Sequence, residues 1–487
     1  MGYETVIGLE VHCELSTTTK LFCGCPNSFG AEPNTNICPV CLGLPGSLPV
    51  LNRQAVVLAM RIGEALSCRI GASVFARKNY FYPDMPKDYQ ISQYDEPINT
   101  NGYLEIPSGA RIGIIRAHIE EDTGKSTHVG GGGRIHGADH SLVDYNRAGV
   151  PLVEIVSAPD LRSGEDARSY VSELRAILVA TGASDGRMEE GSIRVDANVS
   201  VRPVGEQTYG TRTEVKNLNS LRSLVRAIEA ERRRQVALVA EGESVAQETR
   251  HWDEDEGRTH PLRSKEEAND YRYFTEPDLV PVVPDEELLG AARATLVVLP
   301  AARRRRLAAL LSEGGHGDSL GQMSDQLETA IELDLDDLVL ATVAAGADAR
   351  QVLNRVANEA ASRPSEARSL DPGAFCALLG LESSGALSAT QTKAVLSAML
   401  ASGGDPQEIA RRLGFEALGS DELEAVVAKV INANPGEWER YLGGDGKIAQ
   451  FLLGQVMRQT KGRADGKRAA AALAAHREAE GYPTQAT

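Results

Sequence analysis

The hydrophobic pattern of this 487-residue chain changes near residue 290, and this change restricts its fold more than any other feature. Before that point, short runs alternate apolar and polar residues between Gly and Pro turns, which is typical of strands. From about residue 291, Ala, Leu, Glu and Arg recur at the 3.6-residue spacing of helices, and a softer break falls near 405. The sequence therefore predicts an α+β domain over 1–290, followed by all-α domains over 291–405 and 406–487.

The first predicted strand lies in MGYETVIGLEVHCEL and has two unlike faces. Successive side chains of a strand point to opposite faces. Leu9 and Val11 belong to a face that is mostly apolar, whereas Glu10, His12 and Glu14 share the other face. A polar face that meets water is one interpretation of this strand alone. Two carboxylates around an imidazole also make it a candidate site.

Three later segments repeat this design, which favours the second interpretation. They are RIGIIRAHIEED, ending in Glu120, Glu121 and Asp122; GSIRVDANVSVRP, with Arg194, Asp196 and Asn198 on one face; and TRTEVKNLNS, with Arg212, Glu214 and Lys216 on one face. Clustered carboxylates must shift their pKa values or find cations. Mg²⁺ is the cation that best suits several carboxylates together with a substrate phosphate. The sequence predicts a mixed or antiparallel sheet whose second face lines a charged, Mg²⁺-binding cavity.

Familiar nucleotide-binding loops are absent from the sequence. TGKST at 123–127 ends like a P-loop, but Ile119 stands where the first glycine of that motif should be. No GxGxxG follows a predicted strand. An ATP site in this chain must therefore be of the kind in which metal ions bridge phosphates to acids on strands.

A cysteine cluster predicts a structural zinc site. Cys23, Cys25, Cys38 and Cys41 form CxC-x12-CxxC in a loop rich in Gly, Pro and Asn. Two close pairs about a dozen residues apart suit a tetrahedral zinc knuckle, here over 21–43. Four thiolates would fill every ligand position, so the zinc would be structural. A redox role for the CxxC is the alternative.

The segment RKNYFYPDMPKDYQISQYDEP interleaves aromatic, charged and amide side chains. Such faces can bind an adenine or the end of an RNA. A packed loop with its Tyr hydroxyls at the surface is an equal alternative.

Overall charge and its distribution bear on partners and location. The net charge of −17 argues against a large nucleic-acid footprint. Residues 447–487, however, have seven basic residues against three acids, a balance of +4, which suits either one polyanion-binding surface or a solvated helix. No apolar run approaches the roughly 20 residues that span a bilayer, and the start does not resemble a secretory signal. We therefore expect a cytoplasmic protein with no membrane or DNA partner.

Many ordered motifs of the chain resemble those of the B subunits of bacterial glutamyl-/aspartyl-tRNA amidotransferases. The resemblance is dense in the first 290 residues and weaker in the helical half, and 128–144 is longer than the family pattern. The motifs are VIGLEVHCEL, FGAEPN, RKNYFYPDMPKDYQISQYDEP, HIEEDTGKSTH, NRAGVPLVEIVS, MEEGSIRVDANVSVRP, EVKNLNS, DYRYFTEPDLVP and GKIAQFLLGQVMRQTKG.

The resemblance implies a function and partners. The B subunit uses ATP and Mg²⁺ to phosphorylate the side-chain carboxylate of glutamate misacylated onto tRNA(Gln), or of aspartate on tRNA(Asn). Ammonia from glutamine, supplied by an amidase that forms the A subunit, then displaces phosphate, and the small C subunit joins the two. The implied fold of 1–290 is similar to glutamine synthetase, and the helical tail 406–487 contacts tRNA.

The resemblance also implies site residues. Glu10, His12 and Glu121 are expected to bind the catalytic metal, with Asp196 and Glu214 as further catalytic acids. Candidates to hold ATP phosphates are Lys78, Lys87, Arg194 and Lys216.

Two other functions compete with this one. A stand-alone ligase of the glutamine synthetase type would not need the basic helical tail. A non-catalytic zinc-containing RNA-binding protein would not gather carboxylates. Co-purification with two specific partners distinguishes the amidotransferase from both.

Overall fold

The computed structural model describes residues 2–130, 138–264, 271–294, 296, 298–313, 323–415, 420–460, 464 and 466–482. Part of the predicted long segment 128–144, namely 131–137, therefore lies outside the described residues. The chain divides into two compact units, Met1–Ala302 and Arg303–Thr487.

A large mixed sheet organises the first unit. Ten strands follow the order β13-β12-β11-β10-β1-β9-β6-β4-β3-β14, β5 also pairs with β6, and β2 pairs with β5. The β11–β12 pair is parallel and the other pairs are antiparallel, while β7 and β8 form a separate hairpin. The strands are β1 (Tyr3–Glu14), β2 (Arg69–Ile70), β3 (Val74–Asn79), β4 (Tyr89–Glu96), β5 (Asn99–Glu105), β6 (Arg111–Glu121), β7 (Lys125–Gly130), β8 (Ala138–Asp144), β9 (Pro151–Ser157), β10 (Ile193–Pro203), β11 (Thr213–Leu218), β12 (Glu248–Asp253), β13 (Arg258–Ser264) and β14 (Phe274–Thr275).

Helices cover the apolar side of this sheet. The helices of the first unit are α1 (Arg53–Ala65), α2 (Gly164–Ala180), α3 (Leu221–Ala240) and α4 (Glu286–Arg293). The predicted two-faced character of β1 is confirmed, because Leu9 and Val11 are fully buried in the core while Glu10 and His12 are half-buried. The sheet therefore has a core face and a polar face.

Helix α3 follows from its sequence. Ser220 caps it by accepting a hydrogen bond from the backbone N–H of Ser223, which satisfies one of the free donors of the first turn. Leu224 and Ile228 are fully buried one turn apart, as the 3.6-residue pattern predicts. Of the arginines that follow, Arg232 pairs with Glu229 at 3.0 Å, so it supports the helix and is not a free phosphate ligand.

The second unit is helical, and its first helix begins three residues before the division at Arg303. Its helices are α5 (Pro300–Glu313), α6 (Ser324–Glu332), α7 (Asp336–Ala344), α8 (Ala349–Asn358), α9 (Pro364–Ala367), α10 (Pro372–Ser383), α11 (Ala389–Ser402), α12 (Pro406–Arg412), α13 (Ser420–Ala433), α14 (Pro435–Leu442), α15 (Gly446–Gln459) and α16 (Gly466–Ala479). Two hydrophobic clusters hold them, one from Leu307 to Ala410 and one from Leu423 to Leu473. The predicted α+β class with C-terminal helices is confirmed, and the domain boundaries near 290 and 405 stay predictions.

Two further observations concern the helices. Among those that the structure describes, none is both long enough and apolar enough to cross a bilayer. Part of the predicted basic tail, including Lys461 and Arg463, lies outside the described residues.

Candidate functional site

The polar face of the sheet is assembled around β1. Glu10 lies opposite Asp196 of β10, and His12 lies between Arg194 of β10 and Glu154 of β9. Directly opposite residues of antiparallel strands share a face and have neighbouring side chains. Strands that are far apart in sequence therefore bring their charged residues together.

Two imidazoles and two carboxylates meet on this face, and we call them the histidine–carboxylate cluster (His12, His118, Glu120 and Glu154). The His12 Nε2 atom lies 3.5 Å from Glu120 Oε1 and 3.9 Å from Glu154 Oε2. His118 Nε2 lies 3.5 Å from Glu154 Oε2. His118 is fully buried, and within the described part of the chain neither of its ring nitrogens has a hydrogen-bond partner of normal geometry. The donor atoms of His12, Glu120 and Glu154 lie within 4.8 Å of one another.

The charges of this cluster are incompletely balanced. Burial and the nearby Glu120 and Glu10 carboxylates raise the pKa of Glu154 to about 8. Burial lowers the pKa of His12 and lowers that of His118 further, so both rings are neutral and keep a lone pair at pH 7. The Arg116 guanidinium lies 3.6 Å from Glu154 and offsets part of the negative charge. Acids that burial holds together beside neutral imidazoles form a donor set that fits a divalent cation.

In a second group on the same face the negative charges are already offset by a lysine. We call it the lysine-centred cluster (Asp196, Glu214 and Lys216). The Lys216 ammonium lies 2.6 Å from Asp196 and 3.0 Å from Glu214. Burial raises the pKa of Asp196 in spite of this lysine. The predicted residues Asp196, Glu214 and Lys216 are thus brought together, next to Glu10 on the neighbouring strand.

An open cavity of about 540 Å³ adjoins Glu10, and we call it the Glu10 cavity. Its wall includes Gly8, Asn198, Gly210 and Arg212. Asn198 donates a hydrogen bond of 2.9 Å to Glu10 Oε1 and so fixes that carboxylate at the cavity edge. A side chain at Gly210 would meet the Val201 carbonyl at 2.2 Å, so only glycine fits there. The volume is that of a small-molecule site.

The structure does not bring Glu121 together with Glu10 and His12, with which it was predicted to bind the metal. Glu121 shares the core face of β6 with Ala117 and Ile119, on the other side of the strand from His118 and Glu120. There it forms an ion pair with Lys87 and accepts a hydrogen bond from the backbone N–H of Ile91. Lys87, predicted to hold phosphates, is therefore turned away from the polar face as well. Of these two acids, Glu120 is the one that lies beside His12.

The other two predicted phosphate ligands do lie near the clusters. Arg194 is opposite His12 and donates to Asp122 at 2.6 Å. Lys78 of β3 lies close enough to His118 and Glu154 to affect both pKa values. Arg194 is thus held by a carboxylate, whereas Lys78 stands at the far side of the histidine–carboxylate cluster.

Sequence reasoning missed Glu154 and did not single out Glu120 or His118. The signal for Glu154 was one acid inside the apolar run VPLVEIVS, which becomes β9 and separates β1 from β6. The signal for His118 and Glu120 was their alternation with Ala117 and Ile119, which places both on the polar face.

The four knuckle cysteines also converge. The Sγ atoms of Cys23, Cys25, Cys38 and Cys41 all lie within 4.8 Å of one another. The backbone N–H of Cys38 donates to Cys41 Sγ at 3.1 Å, and the hydrogen bond from Cys23 lowers the pKa of the Cys41 thiol. Four converging thiols, one of them readily ionised, fit a structural zinc ion.

Backbone groups attach this loop to the connection between β8 and β9. The N–H of Asn34 donates to Asp144, and that of Asn36 donates to Asn146 at 2.8 Å. The knuckle is therefore fixed to the first unit.

Comparison with known proteins agrees with this architecture. Residues 5–290 match the model of the GatB/GatE catalytic domain, and residues 337–476 match that of the GatB domain. The chain is 51% identical over 477 residues to a protein of Frankia casuarinae, covering 95% of this chain and 93% of that protein. It is 50% identical over 484 residues to one of Mycobacterium sp. (96% and 94%) and 48% identical over 472 residues to one of Carboxydothermus hydrogenoformans (95% and 96%).

All three relatives are named as the B subunit of aspartyl/glutamyl-tRNA(Asn/Gln) amidotransferase. The family predicted from the motifs is confirmed. On the family match to more than half of its length, together with these full-length similarities, the chain belongs to the GatB/GatE family.

Proposed function

We propose that this chain is the B subunit of a glutamine-dependent tRNA amidotransferase, a carbon–nitrogen ligase. Relatives with this name match both the sheet-containing and the helical parts of the chain. This full-length match supports the amidotransferase over a stand-alone ligase, which would not need the helical half. The likeness of the first unit to glutamine synthetase is part of the proposal.

The observation that carries this proposal is the histidine–carboxylate cluster beside the Glu10 cavity. Mg²⁺ bound at the cluster would neutralise charge on the transferring phosphoryl group. His12, Glu120 and Glu154 would hold it, with Glu10 at the cavity edge. ATP would occupy the Glu10 cavity, so that its terminal phosphate points toward the cluster.

The proposed reaction has two steps. A side-chain carboxylate oxygen of the misacylated glutamate or aspartate attacks the γ-phosphorus of ATP, the bond to ADP breaks, and an acyl phosphate forms. Ammonia then attacks the acyl carbon, phosphate leaves, and the nitrogen loses a proton to give the amide. The carboxylate is ionised at pH 7, so the first step needs positioning and charge neutralisation and no general base.

The chain's own residues would supply that positioning. Lys216, held between Asp196 and Glu214, is a fixed positive charge near the cavity. Arg194, which lies opposite His12 on the neighbouring strand β10, is held by Asp122. Fixed charges of this kind stabilise developing negative charge without reorganising during the reaction.

The proposal includes partners and location. The chain would act in the cytoplasm with an amidase as its A subunit and with a small C subunit, on Glu-tRNA(Gln), Asp-tRNA(Asn) or both. The helical tail 406–487 would contact the tRNA.

We also propose a structural Zn²⁺ at Cys23, Cys25, Cys38 and Cys41, and its removal tests this. Cys38→Ser should release about one zinc per chain and lower the melting temperature, because a small loop of this kind depends on its metal to fold. Inductively coupled plasma mass spectrometry and thermal unfolding measure both, with Cys68→Ser as a control outside the knuckle. Purified wild-type chain without zinc would contradict the site.

The first experiment measures ATP hydrolysis by the chain co-expressed with the amidase and the small C subunit, with and without Glu-tRNA(Gln). We expect hydrolysis that requires the misacylated tRNA and is abolished by His12→Ala. Hydrolysis that is indifferent to tRNA would favour a small-molecule ligase.

A matched control separates loss of the site from loss of the fold. His260 lies on β13, four strands from β1, and pairs with Glu256 at 2.8 Å. Four strand spacings are about 19 Å, so His260→Ala should keep tRNA-dependent hydrolysis. Wild-type turnover in His12→Ala would contradict the site assignment.

A further inference from the structure

A layer of aromatic and basic side chains stands beside the histidine–carboxylate cluster, and we call it the aromatic wall (Lys78, Tyr94, Arg116, Tyr271 and Tyr273). The rings of Tyr94 and Tyr273 stack at 5.2 Å with an angle of 17° between them. The Arg116 guanidinium lies 4.5 Å from the centre of the Tyr94 ring, and the Lys78 ammonium lies 4.8 Å from that of Tyr271. A cation thus stands at each end of a run of three rings, in the order Tyr94, Tyr273 and Tyr271.

The wall is in direct contact with the cluster. Tyr94 meets His118 edge to face at 6.1 Å, and Arg116 reaches Glu154. Burial, with the Tyr94 ring and the Glu120 carboxylate, raises the pKa of Tyr273. Tyr94 nevertheless keeps 42% of its surface exposed, so part of the wall remains available to a ligand.

The backbone that carries the wall is fixed in place. Asn79 of β3 donates its side-chain amide to the carbonyls of Tyr271 and Arg272, at 2.9 Å and 2.8 Å. Arg272 has a φ of +43°, a conformation that non-glycine residues rarely adopt. A segment held in this way suits recognition, because it loses little conformational entropy on binding.

The wall and the Glu10 cavity adjoin different parts of the cluster. The cavity is lined mainly by residues of β1, β6, β9, β10 and the segment before β11, and none of the five wall residues is among them. The wall comes from β3, β4, β6 and the segment before β14. ATP in the cavity would therefore leave the wall free for the substrate whose carboxylate attacks the γ-phosphorus.

The chemistry of the wall matches the end of an RNA that carries this carboxylate. Unpaired bases stack on Tyr rings and on guanidinium planes, and basic side chains neutralise the adjoining phosphates. Lys78 and Arg116 supply positive charge on a protein whose net charge is −17. A free amino acid would need neither the stacked rings nor these cations.

We infer that the aromatic wall seats the 3′-terminal adenosine of the acylated tRNA and so delivers its side-chain carboxylate to the cluster. The inference rests on the proposed function and extends it by naming the residues that bind this nucleotide. The adenine of ATP is the other source of the same chemistry, and the experiment distinguishes the two.

The test uses the three-subunit complex and two fluorescent probes. One is tRNA(Gln) with 2-aminopurine at its 3′-terminal position, and the other is the triphosphate of 2-aminopurine riboside. Stacking quenches this base. We expect the complex to quench the tRNA probe, and Tyr94→Leu and Tyr273→Leu to abolish that quenching while leaving quenching of the triphosphate unchanged.

Steady-state kinetics of transamidation give a second readout. Tyr94→Leu should raise KM for Glu-tRNA(Gln) about 10- to 100-fold, the range that loss of one stacking partner produces, and should change KM for ATP less than about twofold. Tyr94→Phe should restore the quenching, because the ring and not the hydroxyl makes the stack.

Tyr103 provides a matched control on the same sheet. Arg111 lies 4.6 Å from the Tyr103 ring, a cation–ring pair like that of Arg116 and Tyr94 but on β5 and β6 away from the cluster. Tyr103→Leu should leave the quenching of both probes unchanged. Thermal unfolding of each variant identifies any that fails to fold, and Tyr273→Leu then replaces Tyr94→Leu.

Two results would overturn the inference. One is tRNA-probe quenching that survives in folded leucine variants, and the other is a rise in KM for ATP with KM for Glu-tRNA(Gln) unchanged. Wild-type complex without tRNA-dependent transamidation would instead reject the proposed function, so the two failures are distinguishable.

Discussion

Glu231 and Glu154 are both buried carboxylates of the first unit, but their surroundings differ. Glu231 on α3 is fully buried and receives hydrogen bonds from Arg234, Gln235 and Thr259. Burial alone would raise the pKa of Glu231, but these hydrogen bonds lower it. Glu154 lies among other acids and neutral imidazoles, and its pKa is raised to about 8.

This difference separates a structural charge from a functional one. A buried carboxylate whose bonds are all satisfied holds its neighbours in place, so its removal should unfold the protein. A buried carboxylate that the protein itself does not satisfy is retained at a cost to stability, which indicates that a ligand completes it. The two roles therefore predict opposite responses to substitution.

The largest effect is expected at Glu231. Glu231→Ala should lower the free energy of unfolding by about 3–5 kcal/mol, because it removes the buried acceptor of hydrogen bonds from Arg234, Gln235 and Thr259. Urea denaturation measures this, with exposed Glu243→Ala as the control. Because the folded pKa of Glu231 is lowered, its contribution is present above the unfolded pKa of about 4.3 and is lost as pH falls through the folded pKa. A variant as stable as wild type at pH 7 would refute the structural role.

Glu154→Gln should reduce activity strongly without reducing stability, the opposite of Glu231→Ala. We expect tRNA-dependent ATP hydrolysis to fall about 10²- to 10³-fold, a loss typical of one group that stabilises transition-state charge. Without divalent cations the variant should be at least as stable as wild type at pH 8. In the wild-type protein the folded pKa of Glu154 is raised, so stability should fall as pH rises from about 4.3 toward 8. This dependence on pH should be weaker in the variant, which lacks the carboxyl group. Lower stability in EDTA would show that Glu154 is structural.

Mg²⁺ itself should stabilise the fold. At about 100 times its dissociation constant, a ligand that binds only the native state adds about 2.7 kcal/mol. Thermal unfolding in EDTA and in increasing Mg²⁺ measures this, and Glu120→Gln and Glu154→Gln should reduce the shift, whereas Glu231→Gln should not. An equal shift in all variants would place the cation elsewhere.

The smallest effect is expected at the start of α3. Ser220→Ala removes the cap and should cost about 1 kcal/mol of unfolding free energy. Because the α3 side is structural, kcat of the folded variant should not change. A large loss of kcat with little loss of stability would mean that α3 influences the polar face, and the comparison would then fail.

Much of the arrangement could be predicted from alternation and spacing. The polar faces of β1, β10 and β11 and the cysteine cluster follow directly from residue order, because side-chain direction in a strand and the spacing of thiols are local properties. Those local properties brought Glu10, His12, Asp196 and Glu214 to one face.

The remainder depends on strand order, which is not local. Nothing near residue 154 indicates that β9 will lie between β1 and β6, so Glu154 could not be assigned to the site. The position of Glu121 has another origin: of the two adjacent acids, only Glu120, which alternates in step with His118, points to the polar face. Lys87 lies on the same side of the sheet as Glu121, with which it forms an ion pair.

The position of β1 in the sheet has a consequence for folding. β1 is a central strand of the sheet, and its partners β9 and β10 begin about 150 and 190 residues later in the chain. Pairings this distant in sequence close slowly, because loop entropy is lost before any contact is gained. β1, whose odd-numbered side chains are strongly apolar, therefore lacks both partners until β9 is made, about 150 residues later. During synthesis it is a natural binding segment for a chaperone that recognises extended apolar chains.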